Sequence, residues 1–89
     1  MIKNSLYFSF FLFLGMNLIY AQSNLLESVK KNPKNAIEIC IKFKELNKSG
    51  ISASSDEAIN YVVKKNKLSP VNAEILSIYV IGIHCPNVI

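Results

Sequence analysis

The sequence has no arginine, one histidine, two cysteines and three glycines in 89 residues. Each scarcity removes a class of function. A nucleic-acid binder normally carries a dense basic stripe, often with arginine. Here nine lysines beyond Ala21 stand against six acidic residues and are spread over three segments, which reads as solvated helix faces. No nucleic-acid partner is expected. Covalent catalysis needs a nucleophile, a base and an orienting group within hydrogen-bond reach. The lone His84 lies close to the C-terminal end, and Ser52, Ser54, Ser55 and Ser69 fall in a loop and at helix starts. The one adjacent carboxylate pair, Asp56 and Glu57, is explained by the positive end of a helix. There is no glycine-rich run to cradle a phosphate. The chain is therefore not expected to be an enzyme or to hold a cofactor.

Metal binding fails on the same grounds. Cys40, His84 and Cys85 are the only strong soft ligands beyond Ala21, fewer than a structural zinc site normally uses. A Cys-Pro dipeptide such as Cys85-Pro86 also occurs in some haem-sensing proteins, but that role needs a free thiolate.

What is present begins with the N-terminus, "MIKNSLYFSFFLFLGMNLIYAQS". Lys3 opens a short polar start, an apolar run extends from Leu6, and Ala21 precedes polar Gln22 and Ser23. That is the pattern of a secretory signal peptide over residues 1–21. The run is shorter than the roughly 20 residues of a spanning helix, which argues against a retained anchor. A single domain over residues 22–89 remains, periplasmic or extracellular. It is smaller than the roughly 70–80 residues at which a core stands without a staple. Export provides one, because disulfides persist in oxidising compartments. Two cysteines allow one intramolecular pairing, Cys40 with Cys85, and closing a loop of that length stabilises by about 4 kcal/mol.

Helical signals recur along the domain. "SNLLESVKKN" is a short helix with Asn24 and Glu27 as a capping box and Leu25, Leu26 and Val29 as its apolar face. In "NPKNAIEICIKFKELNKSG", Asn32 caps, Pro33 suits the first turn and Gly50 stops. Ala36, Ile37, Cys40, Ile41 and Phe43 form its buried face, and Glu38 pairs with Lys42 one turn on. In "SSDEAINYVVKKN", Ser54 and Glu57 make a capping box, and Ala58, Ile59, Tyr61, Val62 and Val63 face inward. The fourth segment, "LSPVNAEILSIYVIGIHCP", is capped by Ser69 and opened by Pro70.

That fourth segment is apolar nearly all round, as suits the centre of a bundle. Glu74, Ser77 and His84 give a narrow outward stripe. Val71, Ile75, Ile78, Tyr79, Gly82 and Ile83 lie opposite, with Gly82 admitting a close neighbour. Its β-branched residues also suit a strand, but the Ser-Pro opening and the stripe favour a helix. Tyr61 and Tyr79 read as core aromatics, and Ile81 as a partly exposed contact point.

From Ala36 through Cys40, Leu46, Gly50, a Ser-rich loop, Ala58, Leu68, Ser69, Ala73 and Gly82 to Cys85-Pro86, the chain resembles the domain of unknown function 732 family. The resemblance implies a small exported bacterial helical domain with two cysteines, the second before a terminal proline. It carries no catalytic residue. The expectation is an all-α bundle of three main helices plus a short N-terminal helix, held by Cys40–Cys85. Its expected role is non-catalytic, an interaction or structural module with an unidentified protein partner. The alternatives are a secreted effector or inhibitor, and a cationic protein acting at membrane surfaces, which the capped helices and disulfide disfavour. Oligomeric state stays open.

Overall fold

The computed structural model describes residues 24–89, so the expected signal peptide over residues 1–21 lies outside the described residues. Among the described residues there are four helical segments and no strand. α1 covers residues 24–31, α2 Pro33–Lys48, α3 Asp56–Asn66 and α4 Pro70–His84. The β-branched stretch of α4 is helical throughout.

Local chemistry sets most boundaries. Asn32 interrupts the helix because Pro33 has no N–H to donate and clashes with the preceding turn. The Asn32 side chain then accepts from Asn35 N–H at 3.2 Å and caps α2. At the other end of α2, Gly50 adopts a left-handed φ of +76°. Its N–H reaches the Asn47 carbonyl at 3.0 Å, and the Ile51 N–H reaches that of Leu46 at 2.9 Å. This pair of bonds closes two carbonyls that the helix leaves open, in a Schellman arrangement that favours glycine. Ser69 caps α4 as expected, accepting from Asn72 N–H at 3.2 Å. The cap of α3 is Ser55, not Ser54. Ser55 Oγ accepts from Ala58 N–H, while the Ser54 hydroxyl bonds that of Ser52.

α4 packs against both α2 and α3, which also touch each other. Phe43, Ile39, Leu76, Val62 and Val80 are the largest fully buried side chains at the centre of this bundle. Leu25 and Val29 of α1 join the same core.

Two helix faces differ from expectation. On α2 the core takes Ala36, Ile39, Cys40, Phe43 and Leu46, while Ile37 and Ile41 are half-exposed. Spacings of three and four fit both sets. Ala36, Cys40 and Phe43 are common to both, and packing of the helices takes Ile39 and Leu46 inward in place of Ile37 and Ile41. On α4 the rotation is larger. Ala73, Leu76, Ser77 and Val80 are buried, whereas Val71 and Ile78 are 66% and 62% exposed. The supposed polar stripe thus contributes Ser77 to the interior. Its hydroxyl donates to the Ala73 carbonyl one turn back at 2.8 Å, so burial leaves it satisfied. Small Ala73 and Ser77 suit a face pressed between two helices better than branched Val71 and Ile78. Gly82 faces open space, and a Cβ there would meet nothing within 4 Å.

Candidate functional site

The expected cysteines meet. Cys40, in the middle of α2, and Cys85, which follows the last turn of α4, form a disulfide with a Cα–Cα distance of 6.0 Å. Both are buried. With their sulfurs joined, neither can serve as a thiolate ligand. His84 points to solvent beside them. Among the described residues no group of three or more His, Cys, Asp or Glu side chains is placed to hold a metal. No described helix is long and apolar enough to cross a membrane.

Chemistry-bearing side chains gather at two places on the surface. The first is the groove between α2 and α3. The Glu38 carboxylate accepts a hydrogen bond from the Lys65 ammonium, 27 residues further on, and the two form an ion pair. The Lys65 hydrogen bond and charge hold the Glu38 carboxyl below its ordinary value of 4.5, and Glu38 in turn raises the Lys65 ammonium above its own. The expected partner of Glu38, Lys42, lies instead over the Tyr61 ring at 5.6 Å from its centre. α3 delivers Lys65 across the groove, a closer match than the local i, i+4 contact that sequence spacing suggests. Glu38, Ile41, Lys42, Glu45 and Tyr61 line about 280 Å³ of shallow open space here. Tyr61 and Tyr79 are half-buried against the core, as is Ile81.

The second place is the corner after α2, where the tail returns. Asn47 Nδ2 donates to the Ile51 carbonyl at 3.0 Å and to the Ile89 carbonyl at 3.1 Å. Asn47 Oδ1 accepts from the Ile89 N–H at 2.8 Å. The amide thereby uses both its hydrogens and its oxygen, which fixes its orientation. The Ala53 N–H also donates to the Ile89 carbonyl at 2.8 Å, with the Ser52 hydroxyl further off at 3.5 Å. Sequence reading missed Asn47 and Lys65. Both act on residues far away along the chain, so no local pattern marks them.

A family model described as Domain of unknown function (DUF8664) matches residues 26–85. It is not the domain of unknown function 732 family that the short motifs around Cys85-Pro86 resemble. No curated protein and no solved structure matches the chain.

Proposed function

We propose, for a chain that belongs to the family described as Domain of unknown function (DUF8664), a function read from its own geometry: an exported, disulfide-stapled helical module that binds a protein partner and performs no chemistry. The buried Cys40–Cys85 disulfide carries this reading. Such a bond persists in an oxidising compartment and is rare in a reducing one. It agrees with the leader-like pattern over residues 1–21.

The surface supports binding over catalysis. In the α2–α3 groove Glu38 is engaged by Lys65 and Lys42 lies over the Tyr61 ring. A general base or nucleophile would have to be freed from such contacts before it could act. The outward side of α4 offers Val71 and Ile78 to solvent with no lysine between Pro70 and His84. A cationic membrane-surface helix needs basic residues flanking its apolar face, so α4 fits a protein contact better than anionic lipid.

Mass spectrometry of the protein recovered outside the cytoplasm tests the reading. The expected species starts at Gln22 and is two hydrogens lighter than its reduced form. A full-length chain retained in the cytoplasm with both thiols free to alkylate would overturn it.

A further inference from the structure

Helix α4 presents two opposite faces. Ala73, Leu76, Ser77 and Val80 point into the bundle. Val71, Ile75, Ile78 and Gly82 point the other way, all within about 60° of one another at roughly 100° per residue. Val71, Ile78 and Gly82 are exposed and Ile75 is half-buried. A Cβ at Gly82 would meet nothing within 4 Å, so the stripe ends in an open notch. Charge narrows what can cover this stripe. Beyond Ala21 nine lysines stand against six acidic residues, so two copies of the chain repel at most approaches. The outward stripe of α4 carries no lysine, and Glu74 stays in water at its rim. Ile37 and Ile41 of α2 are exposed too, but Lys34, Glu38, Lys44 and Glu45 surround them at one turn's spacing. The α4 stripe is also self-complementary. When a second α4 is turned end for end about an axis midway between residues 76 and 77, Ile75 meets Ile78 of that copy and Val71 meets its Gly82. The notch at Gly82 then receives the valine.

We propose that α4 is a self-recognition face through which two copies of this chain pair antiparallel, with Val71 of each seated over Gly82 of the other. Fifteen residues of helix span about 22 Å, and a contact strip about 10 Å wide covers roughly 200 Å² per copy. A stable dimer needs about 800 Å² per partner. The pair is therefore weak and forms only where the protein is concentrated. The inference rests on the reading of the chain as a binding module and names its partner as a second copy. Its failure would leave the mass-spectrometric test of export and disulfide untouched.

The test is sedimentation equilibrium of the exported, oxidised protein at up to about 1 mM, where contacts this small register. The average mass should rise with concentration toward that of a dimer. Ile78→Glu changes an exposed side chain, so circular dichroism should show the helices intact while the variant stays monomeric. Gly82→Leu fills the notch and should weaken association at least about tenfold. In a mixture of isotope-labelled and unlabelled chains, a nuclear Overhauser signal should join the Val71 methyls to the Gly82 α-hydrogens. Those groups lie about 16 Å apart along one helix, so the signal arises only between copies. The proposal is overturned if the protein is monomeric at about 1 mM. Binding to phosphatidylglycerol vesicles that Ile78→Glu abolishes would then assign the face to lipid, and no such binding would leave it to a different protein. It is equally overturned if Ile78→Glu associates as well as wild type, or if the dimer forms without the Val71–Gly82 signal.

Discussion

At the scale of single residues, two side chains connect distant parts of the chain. Cys40 is central to an apolar helix face, and its sulfur ties α2 to the segment after α4, 45 residues on. Constraining so long a loop in the unfolded state is worth about 4 kcal/mol. The paired replacement Cys40→Ser with Cys85→Ser should therefore lower the free energy of unfolding by about that amount, read from denaturant midpoints. An unchanged midpoint would mean that helix packing alone suffices. Asn47 does by hydrogen bonds what Cys40 does by a covalent bond. The sequence offered no sign of this, because an asparagine near a helix end usually reads as a local cap or turn residue.

At the scale of elements, start and stop chemistry was legible and helix rotation was not. Asn32–Pro33, Ser69–Pro70 and Gly50 marked boundaries that the backbone bonds then explain. Ser54 and Ser55 both suit a cap, and only the observed turn chose the second. α4 shows the limit of periodicity. When a helix is apolar on every side, its pattern does not say which side is inward. Of the face expected to be buried, Val71, Ile78 and Ile83 turned outward while Ile75 and Tyr79 stay partly buried against the core, and overpacking by a larger residue at Gly82 is not expected, since a Cβ there meets open space. Gly82→Ala should instead stabilise the fold by about 0.5–1 kcal/mol, by restricting the unfolded chain and favouring the helix. A thermal melt showing a lower midpoint for this variant would mean that the glycine is needed against a neighbour after all.

At the scale of the whole molecule, the Glu38–Lys65 pair links α2 to α3 across the groove, on the side of the bundle where those helices meet. Its effect on stability has a definite pH window. The Glu38 carboxyl is held below 4.5 in the folded state, so its contribution is present above that value and is lost as pH falls through the folded one. The Lys65 ammonium is raised above 10.5, so its contribution is present below that value and disappears as pH rises through the folded one. Between these limits the pair should be indifferent to pH. The difference in melting temperature between wild type and Glu38→Gln should hold constant from about pH 5 to 9 and shrink toward zero in stronger acid. A difference that persists at low pH would assign the effect to packing rather than charge. Both groups are partly exposed, so added salt should also reduce the difference.

The sequence alone determined that the described chain is helical, where most helices start and stop, and which two cysteines could pair. Those properties rest on local bonds, on backbone preferences of proline and glycine, and on there being one possible partner for each thiol. Tertiary structure decided which face of α2 and α4 turns inward, that Glu38 meets Lys65 rather than Lys42, and that Asn47 holds the returning tail. The reason is common to all three. Each choice compares contacts between residues far apart along the chain, and the energy of such contacts exists only once the helices have packed.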